Sequence, residues 1–137
     1  MRFMMLMIPH GYETAPPGTM PEDMSALDAM MAYNRQLVDA GVLVTGDGLH
    51  PPSMGARVSF KGGVPMVTDG PFAEAKEVLG GYWMINVASR DEAIAWAKRC
   101  PAGDNEVIEI RQVQDVGDWP EHMQEQALEW DKLREKL

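Results

Sequence analysis

Phe3-Met4-Met5-Leu6-Met7-Ile8 is apolar at every position rather than at every second one. A strand with one wet face alternates; an unbroken short run fits a central strand covered on both faces. Six residues are too few for the core of a secretory leader and far too few to cross a bilayer. The remaining chain must supply what covers those two faces. Thr19 and Glu22 have the spacing of a capping box and predict a helix from Glu22 to about Ala40, stopped by Gly41. Its inward stripe would be Met24, Leu27, Met31 and Val38. Leu43-Val44-Thr45-Gly46 reads as a short strand. Arg57 to Lys61 and Val64 to Thr68 flank Gly62-Gly63, a dipeptide free to take positive φ at both positions, which predicts a tight hairpin. Tyr82 to Val87 is a further strand, apolar on both faces except at Asn86. Ser89 and Glu92 open a second helix that ends at Cys100, before Pro101. Glu106 to Val113 closes the series, with Ile108 and Ile110 on one face and Glu109 and Arg111 on the other.

Strand, helix, strand, hairpin, strand, helix, strand makes two β-α-β-like halves, the order of a ferredoxin-like α+β domain. Helices cover one face of such a sheet. The two-sided apolar strands need a second cover, and a second copy of the same sheet is the economical one, which predicts a twofold homodimer. Residues 1–113 therefore form the domain, and residues 114–137 an acidic C-terminal helical extension. From Asp115 onward the chain carries seven acids and three bases. Asp118 and Glu121 form a third capping pair with Pro120 between them, and Met123, Ala127, Trp130, Leu133 and Leu137 form a narrow stripe at helical spacing. That helix either docks on a partner, such as the other protomer, or packs on its own domain.

Composition narrows the function. The chain has 137 residues, one domain's worth, and 12 Lys and Arg against 21 Asp and Glu leave a net charge of −9. A pI near 4.7 argues against wholesale binding to nucleic acid or to an anionic membrane. Cys100 is alone, which excludes an internal disulfide and a cysteine-based zinc site; beside Ala93, Trp96 and Ala97 it reads as a small core residue. The sequence has no GxGxxG, no GxxxxGK[ST], no GxSxG elbow and no histidine pair at metal-ligand spacing. The expectation is a cytoplasmic protein without metal or cofactor.

The candidate chemistry lies in Asp69-Gly70-Pro71-Phe72-Ala73-Glu74-Ala75-Lys76-Glu77. Asp before Gly-Pro forms turns because its carboxylate accepts backbone N–H groups a few residues on, and Pro71 suits a helix start, so Ala73 to Val78 reads as a turn or two of helix. Asp69 is therefore either a cap, with Phe72 plugging the core, or a carboxylate at a strand end facing a cleft; it can be both. Glu74 could complete a carboxylate pair with it, and Glu77 adds a further charge on a solvated face. Of three histidines, His50 stands in Gly46-Asp47-Gly48-Leu49-His50-Pro51-Pro52, where it is either a surface turn residue or the partner of Asp47 or Asp69 in a general-base dyad. His10 follows the first strand without an acidic neighbour before Glu13, and His122 lies on the acidic tail.

The long DGPF string, Gly80-Gly81-Tyr82-Trp83 after it, Ala40-Gly41-Val42-Leu43 before it, the His50 loop, Arg90-Asp91-Glu92-Ala93-Ile94-Ala95-Trp96-Ala97 and Glu109-Ile110-Arg111 together resemble the DGPF branch of the YCII-related proteins, from Met1 to Val113. That resemblance implies a ferredoxin-like domain forming a dimeric α/β barrel. It also implies a pocket with a His–Asp pair, relatives that include a dehydrochlorinating lyase, and genes neighbouring extracytoplasmic-function sigma factors. The family's histidine lies on the first helix; here that helix holds Met30, Tyr33 and Asn34 and no histidine. The expected function is a small-molecule enzyme of lyase or isomerase type, with Asp69 and His50 catalytic and Gly70, Pro71, Phe72, Glu74 and Lys76 binding ligand. The competing expectation is a non-catalytic regulatory dimer that binds a ligand or a sigma factor.

Overall fold

The computed structural model describes every residue except Ala73, Glu74 and Lys76. Strand β1 (Arg2–Ile8) runs through the middle of a four-stranded antiparallel sheet. The other members are β2 (Leu43–Gly48), β5 (Gly81–Asn86) and β6 (Val107–Gln112), in the order β2-β5-β1-β6. This is the order of a ferredoxin-like α+β domain with a hairpin inserted between its second and third strands. Register sets the core: Phe3 pairs with Ile85, Met5 with Trp83 and Ile110, and Met7 with Ile108. Because directly opposed residues of antiparallel strands share a face, these side chains form one surface. Tyr33 and Leu37 of α1 (Met24–Asp39) and Ala93 of α2 (Arg90–Lys98) close over it. The opposite face carries Met4, Leu6, Ile8, Tyr82 and Met84, each half-buried. Only the helix-covered face of the apolar run Phe3 to Ile8 is thus fully removed from water.

Helix α1 is rotated from the expected orientation. Met24, Leu27, Met31 and Val38 are exposed, and Met30, Tyr33 and Leu37 face the core instead. The reason is Tyr33, an apolar ring with a polar end. Its hydroxyl donates to the Trp96 carbonyl at 2.7 Å, and its ring meets Trp83 edge-on at 5.7 Å between centroids. The helix also begins later than the Thr19–Glu22 spacing predicts: Asp23 is the cap, its carboxylate accepting from the N–H groups of Ser25 and Ala26. Thr19 donates to the Pro16 carbonyl instead. Gly41 ends the helix as expected, at φ +71 with its N–H on the Val38 carbonyl.

Strands β3 (Ala56–Lys61) and β4 (Val64–Asp69) form the expected hairpin, turning at Gly62 and Gly63 with φ of +60 and +79. It is a separate two-stranded sheet, and every one of its strand residues is exposed. Helix α2 starts where expected: the Ser89 hydroxyl accepts from Glu92 N–H, and the Glu92 carboxylate reaches back to Ala88 N–H. Cys100, just beyond α2, packs against the core, and burial pushes its thiol up to about 11, with the Glu106 carboxylate adding to the rise.

The extension is tied to the sheet by an ion pair of Arg2 with Asp115 at 2.8 Å. Its opening turn uses Asp118, whose carboxylate accepts from Asp115 N–H, rather than the Asp118–Glu121 pairing. Turns at Val116–Asp118 and Glu121–Met123 lead into α3 (Gln124–Arg134), which packs mainly on those turns and buries no residue. Among the described residues, no helix is long and apolar enough to cross a membrane.

Candidate functional site

Two loops meet beyond the sheet. Strand β4 ends at Asp69, opposite Ala56. The next residue, Gly70, donates its N–H to the Gly55 carbonyl at 2.9 Å. A Cβ at Gly70 would collide with the Pro52 carbonyl, so only glycine permits this approach. The His50 loop and the DGPF turn are thereby docked, backbone on backbone. Half-buried Phe72 follows, with the Arg57 guanidinium stacked 4.0 Å from its ring centroid. The junction encloses a cleft of about 380 Å³ whose walls include Leu49, His50, Arg57, Phe72, Glu77 and Val78.

Of the sequence-predicted residues, His50 and Phe72 line this cleft and Gly70 forms its hinge point against Pro52. Pro71 follows on the exposed side. Asp69 is exposed at the strand end, one residue from the junction, and is not part of the wall. Among the described residues, no hydrogen bond joins His50 to Asp69 or Asp47; Asp47 instead accepts from the Tyr82 hydroxyl at 3.3 Å. Among the described residues, no hydrogen bond to the Asp69 carboxylate caps the following turn, where Ala75 N–H bonds the Phe72 carbonyl. Glu74 and Lys76, and with them part of the helical turn expected over 73–78, lie outside the described residues. Arg57 was not singled out from the sequence; an arginine at a hairpin base with an aromatic after the DGPF proline was its only signal.

A second cleft, of about 300 Å³, opens at the β2 edge between α1 and the sheet, bordered by Met30, Asn34, Gly46, Asp47, Tyr82 and Trp83. Glycines make it. Gly48 pairs with Gly81, and a Cβ at Gly46 would lie 2.9 Å from the Tyr82 carbonyl oxygen. Asn34 accepts the indole N–H of buried Trp83 at 2.8 Å. The Gly46-Asp47-Gly48 and Gly80-Gly81 strings were the signal that strands run too close here for side chains. A third concavity, about 800 Å³, lies within the extension and is lined by residues of 113–134, including His122, to which the sequence assigned nothing.

Among the described residues, no group of three or more His, Cys, Asp or Glu side chains is gathered to hold a metal. What the first cleft does offer is an imidazole, a side chain suited to general acid–base chemistry, and a guanidinium, which binds carboxylates in a forked geometry, over an apolar floor. The profile of the YCII-related domain family matches residues 1–117. A protein of Rhizobium meliloti (strain 1021), described as uncharacterised, is 39% identical over 77 residues. That match spans 56% of this chain and 62% of the relative's length.

Proposed function

The chain belongs to the YCII-related domain family, and on that premise we propose that it is a homodimeric small-molecule enzyme of lyase or isomerase type, of the DGPF branch. The observation that carries this reading is the docking of Gly70 on the Pro52–Gly55 turn, which sets the DGPF turn and the His50 loop around one cleft. The substrate class is a small carboxylic acid. Arg57, held over Phe72, takes the carboxylate; His50 removes a proton from the adjacent carbon, and the electron pair left there either expels a leaving group from the neighbouring carbon or is taken up when the proton returns at another carbon. Asp69 orients the imidazole once substrate draws the loops together, since catalytic hydrogen bonds commonly tighten only in the substrate complex. The homodimer rests on the half-buried apolar face of Met4, Leu6, Ile8, Tyr82 and Met84, which a second sheet covers to close a barrel.

A thermal-shift panel of chlorinated and unsubstituted short carboxylic acids tests this, run on wild type, Arg57→Gln and Asp69→Asn. An acid at 100 times its Kd stabilises by about 2.7 kcal/mol, roughly 10 °C here. That shift should appear in wild type and shrink by more than half in Arg57→Gln; silence across the panel, or an equal shift in both, removes the carboxylate site. A second reading, a non-catalytic ligand-binding or regulatory dimer working with a sigma factor from a 114–137 extension outside the 1–113 domain, draws on one observation: α3 keeps its apolar side chains in solvent.

A further inference from the structure

Two opposite charges line the cleft beyond the sheet without neutralising each other. Arg57 and Glu77 both belong to its wall, and among the described residues no ion pair joins them. Each is held on a pinned segment. Arg57 lies in β3, opposite Thr68, with its guanidinium face on the Phe72 ring. Stacking occupies that face and leaves the in-plane N–H fork open to a carboxylate. Glu77 precedes Val78, which is 9% exposed. Gly80, two residues further on, donates its N–H to the Met7 carbonyl at 2.8 Å and accepts from Leu49 N–H at 2.9 Å. Leu49 leads directly into His50, and Pro51 after it is fully buried. The backbone that carries Glu77 is thus tied to the end of β1 and to the loop that carries His50.

The rest of the wall is mainly apolar, with Leu49, Met54, Val78 and Leu79 among its members. At about 380 Å³ the cleft is at the small end of ligand pockets. A plain monocarboxylate would satisfy Arg57 but leave the Glu77 carboxylate facing an uncharged tail. It would also approach a chain of net charge −9, whose field repels anions. A zwitterion is neutral as a whole and answers both charges, with an apolar side chain left to meet the wall.

We propose that the cleft takes an amino acid with an apolar side chain, its carboxylate on Arg57 and its ammonium on Glu77. The inference rests on the carboxylate site of the function proposed above and narrows its substrate class. The carbon that bears both charged groups is then the one whose proton His50 removes. Glu77 is a binding residue in this arrangement: it selects for the ammonium and takes no part in proton transfer.

Three probes that share one branched skeleton test it: L-leucine, 4-methylpentanoate, which lacks the ammonium, and 3-methylbutylamine, which lacks the carboxylate. Each is titrated at low salt into the full chain, and the NMR shifts of the Leu49, Phe72 and Val78 amides give Kd and location together. L-leucine should bind about tenfold more tightly than either truncated probe, the scale of one charge-assisted hydrogen bond. Glu77→Gln, at an exposed position, should weaken L-leucine about tenfold and leave 4-methylpentanoate within about twofold. Arg57→Gln should weaken both acids. Equal affinity for L-leucine and 4-methylpentanoate, or a Glu77→Gln loss common to the two, overturns the amino-acid inference. The carboxylate site still stands in that case if Arg57→Gln weakens both. No shift of those amides with any probe, or shifts indifferent to Arg57→Gln, removes the site and the inference together.

Discussion

Replacing Asn34 by Leu should destabilise the chain through one atom, the indole nitrogen of Trp83. That nitrogen donates to Asn34 at 2.8 Å from a side chain that is 8% exposed. Leucine is close in volume, so packing changes little, but the N–H is left without an acceptor in an apolar wall. Orphaning a buried donor costs about 1–3 kcal/mol. For a chain of this size each kcal/mol moves Tm by about 3–4 °C, so the drop should be roughly 3–10 °C. The mechanism, rather than the sign, is what a double-mutant cycle with Trp83→Phe isolates. Phenylalanine keeps a ring against Tyr33 but has no N–H to orphan, so Asn34→Leu in that background should cost little. Urea unfolding at one fixed protein concentration, followed by the fluorescence of the remaining tryptophans, gives all four stabilities. The reasoning predicts a coupling of about 1–2 kcal/mol. Costs of Asn34→Leu that agree within about 0.5 kcal/mol in the two backgrounds would refute it.

Gly70→Ala should undo the docking of the two loops: its Cβ meets the Pro52 carbonyl, the clash costs about 1–3 kcal/mol, and the acid-induced thermal shift should vanish with it. Tyr33→Phe should cost about 0.5–1.5 kcal/mol in urea unfolding, because one hydrogen bond is lost while the Trp96 carbonyl keeps the Arg99 N–H. Cys100 should titrate near 11, followed by thiolate absorbance, since burial raises it from 9.0 and Glu106 adds to the rise. The sign follows from linkage: the unfolded thiol ionises first, so its contribution to stability is whole below pH 9 and falls as pH rises through about 11. Cys100→Ser should flatten that alkaline decline.

The sequence carries what local pattern dictates. An apolar run at every position marked β1 as the sheet's centre, and the order of elements gave the ferredoxin-like arrangement. Gly62-Gly63 named its own turn, and Ser89 with Glu92 its own helix start. The inward face of α1 is not legible locally, because aliphatic spacing ranks Leu27 and Val38 above Tyr33, whose hydroxyl finds its carbonyl 63 residues away. The cleft was half legible. Both of its loops were singled out, but their contact is a backbone approach between Gly70 and Pro52 that no spacing rule contains. Asn34 has no local signal as the acceptor for Trp83, a partner distant in sequence. For α3 the stripe is visible, but that it buries no residue among the described residues is a tertiary fact.

The most direct test of the account is proton exchange at the carbon beside a bound carboxylate, followed by proton NMR in heavy water with the strongest ligand from the acid panel. The account predicts wash-out of that proton by wild type and a loss of about 10²–10⁴-fold in His50→Gln at unchanged thermal stability. Equal rates in the two proteins, or no wash-out by wild type while the acid is bound, would contradict it.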